Sequence, residues 1–199
     1  MIDRSGIKVG VLALQGAHRE HIALLKRCKI DAQEVKYPEQ LRHIHGLIIP
    51  GGESTTIYKL LVKYGFRPFF DKFYKDKKPI FGTCAGMILL SKKVEGHAFG
   101  LGYIDIDVHR NAYGRQKESF EAYVDIDLNG LLNEKKFKAV FIRAPRIMKA
   151  AQSVKILSRI GQDIICARQQ NILVSSFHPE LADDLRIHEY FINMIIKTF

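Results

Sequence analysis

Two hydrophobic rhythms alternate along the first half of the chain. Short apolar runs rich in β-branched residues, KVGVLAL (8–14), GLIIP (46–50) and PIFG (79–82), read as strands buried on both faces. Between and after them, HREHIALLKRC (18–28), STTIYKLLVKY (54–64) and AGMILLSKK (85–93) carry apolar residues at helical intervals, with Ile57, Leu60, Leu61 and Tyr64 on one face. DAQEVKY (31–37) reads as a further short strand. Buried strands interleaved with helices predict a parallel sheet covered on both sides. In the second half the rhythm changes. YIDIDVH (103–109) and parts of FEAYVDIDL (120–128) alternate with period two, as half-exposed antiparallel strands do. FKAVFI, VKILSRI, DIICARQ and ILVSSF are strand-like, and DLRIHEYFINMIIKTF ends the chain with a helical stripe of Ile187, Tyr190, Phe191, Met194 and Ile195. No repeat, linker or low-complexity stretch interrupts the pattern. The expectation is one domain over 1–199, a three-layer α/β/α fold with a mostly parallel central sheet and antiparallel strands in its second half.

Composition narrows the class. A chain of 199 residues with 47% hydrophobic side chains can build one well-packed core. No apolar run approaches the roughly 20 residues of a membrane helix. The start, MIDRSGIKVG, lacks the apolar stretch of a signal peptide, so no membrane is expected and a cytoplasmic location is. The net charge of +10 raises nucleic acid or an acidic protein as partners. The basic residues are scattered, however, and the densest patches, KFYKDKK and NEKKFK, are broken by acids or aromatics. A solvated basic surface, and no nucleic-acid partner, is the reading. The three cysteines, Cys28, Cys84 and Cys166, are odd in number and widely spaced, which fits neither a disulfide framework nor a metal site. Cys28 and Cys166 lie in helix-like and strand-like stretches and read as small core residues.

Cys84 differs. It is centred in GTCAG, where a short apolar run gives way to a helix. Gly-x-nucleophile-x-Gly at a strand-to-helix turn is the pattern of a nucleophile elbow. The turn strains the central residue, glycines two positions away avoid a clash, and the sulfur is lifted out of the sheet beside the first amides of the helix. SSFHPEL (175–181) supplies a base. Proline after His178 biases the histidine to an extended backbone, which keeps Glu180 on the same side to hold its tautomer. Cys84, His178 and Glu180 thus form a candidate triad. LIIPGGESTT (47–56) places Gly51 and Gly52 between a strand and a helix. It lacks the lysine of a phosphate loop and the GxGxxG of a dinucleotide site. The alternative to a phosphate site is an oxyanion hole, with the amides of Gly52 and Ala85 converging on a tetrahedral intermediate.

These segments resemble the triad (class I) glutamine amidotransferases. With ALQGAHREH, RNAYGRQ and FIRAP in the same order, the chain is similar over nearly its whole length to the glutaminase subunits of two-component pyridoxal 5′-phosphate synthases. GTCAG and HPE are shared widely; PGGESTT with RNAYGRQ is narrower and selects this branch. The resemblance implies a flavodoxin-like three-layer fold, with Cys84 as nucleophile, His178 as base and acid, and Glu180 as orienter. It implies a glutamine site lined by Gly52, Glu53 and Ser54 and completed by Arg110, Ile142 and Arg143. It places the oxyanion hole at Gly51, Gly52 and Ala85. Ammonia freed from L-glutamine would pass to a (β/α)8-barrel synthase subunit, whose docking completes the oxyanion hole. No metal and no cofactor is implied, since pyridoxal phosphate would be the product of the whole complex. KKVEGHAFGLGYI (92–104) departs from the family in length and composition, and His97 within it reads as a solvent-exposed side chain. Two other readings stand beside this one: a cysteine hydrolase of the peptidase or stress-protein type on a similar fold, and a binding module without catalysis.

Overall fold

The computed structural model describes residues 4–97, 99–110, 119–128 and 136–198. Its centre is a twisted sheet in which β2 (Asp31–Val35), β1 (Lys8–Leu12), β3 (Gly46–Ile49), β4 (Ile80–Thr83) and β12 (Ile172–Ser175) run parallel, in that spatial order. Beyond β12 the pairing turns antiparallel through β11 (Asp163–Gln169), β9 (Arg146–Ala150) and β6 (Ile104–His109). β5 (Ser91–Val94) joins β6 in parallel at the far edge, and β10 (Lys155–Ile160) pairs with β11. A separate two-stranded sheet is formed by β7 (Ser119–Val124) and β8 (Phe137–Ile142).

Layers follow from the burial pattern. β3, β4 and β12 are buried at every position, because helices cover both of their faces. One face packs α2 (Ser54–Lys63), α3 (Arg67–Lys75) and α4 (Ala85–Leu90) over a core that includes Ile57, Phe70 and Met87. The other face packs α1 (His18–Arg27), α5 (Arg186–Ile196) and the β7–β8 pair, around Phe81, Phe141, Phe177 and Phe191. The mixed α/β architecture expected from the two rhythms is therefore present. Cys28 and Cys166 are buried apolar residues, as read. Residues Ile187, Tyr190, Phe191, Met194 and Ile195 are the buried stripe of α5.

Three local expectations change. The helix after Cys84 stops at Leu90, and SKKV forms β5 instead, because Ser91 turns to an extended backbone where β6 offers an edge to pair with. α3, which runs into the patch read only as basic (72–78), is an amphipathic helix whose Phe70 and Phe73 are buried while its lysines face water. Tyr64 lies just past the end of α2 and is exposed.

The elbow glycines are required by space. A Cβ on Gly86 would stand 2.0 Å from the Ile49 carbonyl oxygen, and one on Gly82 would stand 2.6 Å from the Gly86 backbone. Both obstacles are backbone and neither can swing away. Gly86→Ala is expected to cost about 3 kcal/mol and to lower the melting temperature by roughly 10 °C. Scanning calorimetry checks this; an unchanged melting temperature would mean that α4 can slide off β3.

Candidate active site

Three segments that lie far apart in sequence leave the sheet at the carboxyl ends of three adjacent parallel strands. β3 runs into Gly51–Gly52, β4 into Cys84 and β12 into His178. Register decides how close they come. Ser175 of β12 pairs with Thr83 of β4, and the Cys84 amide donates to the Ser175 carbonyl at 2.8 Å. Cys84 and His178 therefore emerge side by side. The carboxyl edge of a parallel sheet is the general place for a ligand in such folds.

Cys84 has φ 48° and ψ −101°. Among the described residues, four other non-glycine residues have positive φ. Lys29 and Lys77 lie just past the ends of α1 and α3, and Gln170 turns between β11 and β12, all ordinary sites for this conformation. The fourth is Arg143, next to Ile142. Strained backbone that no cap or turn explains is thus confined to Cys84 and Arg143. The elbow expected from GTCAG is formed, with one difference. Cys84 is only 6% exposed. The end of β8 covers it, with the Ile142 carbonyl 3.9 Å from the sulfur.

His178 is anchored by its own amide, which donates to the Val140 carbonyl at 2.8 Å. Its Nδ1–H donates to Glu180 Oε1 at 2.7 Å, and Cys84 is a further hydrogen-bond partner of its ring. Burial alone would lower the His178 imidazole. The Cys84 sulfur and the Glu180 carboxylate override it and push the ring up to about 10, which favours the imidazolium. Burial would likewise raise Glu180, whose side chain is fully enclosed. His21 and His178 outweigh that and hold the carboxyl well below the usual carboxylate range. The sequence-predicted Cys84, His178 and Glu180 are thereby brought into one line.

The glycine loop closes the third side. A Cβ on Gly51 would lie 2.3 Å from His178 Cε1, so only glycine leaves the imidazole its place. The Gly51 carbonyl accepts from the Ala17 amide at 3.0 Å, and the Glu53 amide donates to Gln15 Oε1 at 2.7 Å. The segment of ALQGAHREH before α1 therefore braces the loop. Ala85, next to Cys84, opens α4 with its amide in the unpaired first turn. Ser54 is buried, and its hydroxyl finds no partner among the described residues.

Glu53 caps α2 by accepting from the Thr56 amide at 2.7 Å, and also accepts from the Thr55 hydroxyl. Burial works against its charge, but those donors prevail and hold the carboxyl down at about 2. Its other oxygen accepts from Arg110 at 2.9 Å. Arg110 also contacts His97 Nε2 at 3.2 Å and lies over the Phe99 ring. The exposed His97 thus packs beside Arg110. Arg143 is exposed and makes no hydrogen bond or ion pair with any described residue. The remainder of RNAYGRQ, residues 111–116, lies outside the described residues.

One constellation was not read from the sequence. His21 and His188 are fully buried, and His21 Nε2 lies 3.2 Å from Glu180 Oε2. The signal was present in α1: His21 occupies the apolar face shared by Leu24 and Leu25, where a polar ring needs a partner.

Residues 11–197 match the SNO glutamine amidotransferase family. The chain belongs to the SNO glutamine amidotransferase family. Among its SNO relatives is the pyridoxal 5′-phosphate synthase subunit PdxT of Pelotomaculum thermopropionicum, 51% identical over 193 residues, which cover 96% of this chain and 97% of that one. The PdxT of Halalkalibacterium halodurans is 48% identical over 190 residues, 95% of each chain. A solved structure described as a glutamine amidotransferase superposes with a TM-score of 0.88 at 45% identity, covering 94% of this SNO chain and 98% of its own. The mixed sheet with helices on both faces is thus the class I glutamine amidotransferase fold.

Proposed function

We propose that this protein hydrolyses L-glutamine to L-glutamate and ammonia and supplies the ammonia to a synthase subunit that makes pyridoxal 5′-phosphate. The observation that carries the reading is the line from Cys84 through His178 to Glu180, with the imidazole hydrogen-bonded between sulfur and carboxylate. Relatives at about half identity named as pyridoxal 5′-phosphate synthase subunits support the choice of acceptor.

In this mechanism the Cys84 sulfur, as thiolate, attacks the side-chain carbon of glutamine. A carbon–sulfur bond forms and the carbonyl electrons move to oxygen, toward the amides of Gly52 and Ala85, with Gly51 shaping the loop. The imidazolium of His178 gives its proton to the departing nitrogen, and the carbon–nitrogen bond breaks to leave a thioester. His178, now neutral, takes a proton from water, and the resulting hydroxide releases glutamate and restores the thiolate. Arg143, which follows Ile142 in the chain and has no partner among the described residues, suits the glutamine carboxylate, since its fork matches two oxygens. Gly52, Glu53, Ser54, Arg110 and the Ile142 carbonyl line the rest of the pocket. Arg110 serves through Glu53, to which it is already paired. These steps call for no metal and no organic cofactor.

Free ammonia is protonated and diluted in water, so its use requires direct transfer to a second active site. The word subunit in the relatives' names supports such a partner, and a (β/α)8 barrel is the partner that the resemblance of the motifs implies. The chain acts as one domain in the cytoplasm. Among the described residues no helix is long and apolar enough to cross a membrane.

Glutamate formation is expected to rise severalfold when the synthase subunit is added, because docking completes the oxyanion loop. An electrophilic glutamine analogue is expected to modify Cys84, as peptide mapping by mass spectrometry would record. A wild-type protein that forms no glutamate with or without the synthase subunit would refute the reading. Equal turnover in both conditions would remove the gating role of docking.

A further inference from the structure

Behind the site just described lies a chain of buried polar side chains that its mechanism does not use. His21, from α1, places Nδ1 2.9 Å from Nε2 of His188 on α5. On its other side His21 Nε2 is aligned on the Thr83 hydroxyl at 3.3 Å and stands 3.2 Å from Glu180 Oε2. Thr83 is the residue before Cys84. Glu180 Oε2 has no aligned hydrogen-bond donor among the described residues, and its nearest ion-pair partner is His21. Oε1 is already taken by His178. His21 therefore stands between the strand end that carries the nucleophile and the carboxylate that orients the base.

We propose that His21 is a positioning residue of the glutaminase site, holding Glu180 from behind through its Nε2–H while His188 sets its tautomer. The inference rests on the reading of Cys84, His178 and Glu180 as the reacting triad. Proton placement follows from satisfaction of buried groups. The carboxylate can only accept, so a proton of His21 belongs on Nε2; where that is the ring's one proton, its Nδ1 is an acceptor. His188 must then donate from Nε2. Its own Nδ1, which has no partner among the described residues, is left as a bare lone pair. The opposite assignment would bury an unpaired N–H at that end, which costs more than an unpaired acceptor. Packing gives no reason for either ring. His21 and His188 lie edge-on to Phe81 inside an apolar cluster, where a leucine or phenylalanine would fill the space without desolvating polar atoms. The two histidines meet the triad at Glu180, and there their polar atoms are of use.

The test compares three substitutions of His21 in the complex with the synthase subunit, measuring kcat and KM for glutamine. In His21→Gln the amide nitrogen reaches the position of Nε2; in His21→Asn it reaches only that of Nδ1; His21→Leu has no polar atom. kcat is expected to fall about 10- to 100-fold in the Leu and Asn variants, the scale of a small misplacement of a catalytic group. KM stays within about twofold, and His21→Gln keeps kcat within about threefold of wild type. Where His21→Leu yields no folded protein, the Gln and Asn pair decides. Three variants as active as wild type, or three equally impaired, overturn the proposal, as does a rise in KM with kcat intact. Wild type and Cys84→Ala are run alongside. A wild type without Cys84-dependent glutamate formation overturns both readings, whereas an active wild type with indifferent His21 variants overturns this one alone.

Discussion

Cys84→Ala is expected to lower glutamine hydrolysis by about four orders of magnitude or more, since loss of a covalent nucleophile leaves only binding and oxyanion stabilisation. The fold should persist. Alanine carries the same Cβ as cysteine, so the strain at φ 48° is unchanged, and the residue is small enough for the space under Ile142. The melting temperature is therefore expected to stay within a few degrees, which separates loss of chemistry from loss of structure. A second readout concerns His178. Its ring is pushed up by Cys84 and Glu180 against the effect of burial. Without the sulfur one of the two supports is gone, and the imidazole must titrate at a lower pH than in wild type. An NMR titration of the ring Cε1 proton measures the change. Glutamate formation by Cys84→Ala at a rate near wild type would exclude the thioester.

Glu180→Gln is expected to reduce kcat about 10³- to 10⁴-fold with little change in size or packing. The carboxylate accepts on Oε1 from His178 and faces His21 with Oε2. An amide has one accepting atom and one donating atom, so it cannot face two N–H groups without opposing one of them. If the amide nitrogen turns to His178, the imidazole must carry its proton on Nε2, where it can no longer receive one from the thiol. That is the wrong tautomer, and in triads of this kind it costs about 10⁴-fold. If the nitrogen turns to His21, the orientation of His178 survives but the charge that stabilises the imidazolium is lost. In wild type the sign of the pH effect is set by two opposite shifts. The Glu180 carboxyl is held below the usual carboxylate range, so it remains ionised throughout the range in which the enzyme works. His178 is held up, so its proton is lost only as the pH rises towards about 10. Glu180→Gln should move that alkaline titration of His178 down. A variant with wild-type kcat and an unmoved titration would mean that Glu180 does not orient the base.

The elements most legible in the sequence were those whose local pattern is also their tertiary role. The strands in GLIIP and PIFG are buried at every position and that in KVGVLAL at all but Lys8, and strands covered on both faces are almost uniformly apolar. GTCAG was readable because a strained turn under a helix leaves room only for hydrogen at Gly82 and Gly86, and that requirement is written in residue type. α3 was hidden because its second half runs into the lysine-rich KFYKDKK, although Phe70 and Phe73 form its buried face. β5 was hidden because SKKV pairs only where β6 presents an edge, which no local pattern announces. His21 was hidden because a histidine on an apolar helix face has the same appearance whether or not a carboxylate waits behind it.

From sequence alone came the alternating α/β plan, the change to antiparallel strands, and the residue types able to carry the chemistry: a cysteine on an elbow, a histidine two residues before a glutamate, and a glycine loop. Tertiary structure alone decided that these meet. β3, β4 and β12 are neighbours although β12 follows β4 by some 90 residues (172 against 80), and the Thr83–Ser175 register sets Cys84 beside His178. It also decided that the end of β8 covers the sulfur and that α1 delivers His21 to Glu180. The reason is physical: strain, turn chemistry and apolar periodicity act between residues a few positions apart and leave a mark on the local sequence. Strand order and register arise from the packing of the whole sheet, and no short segment contains them.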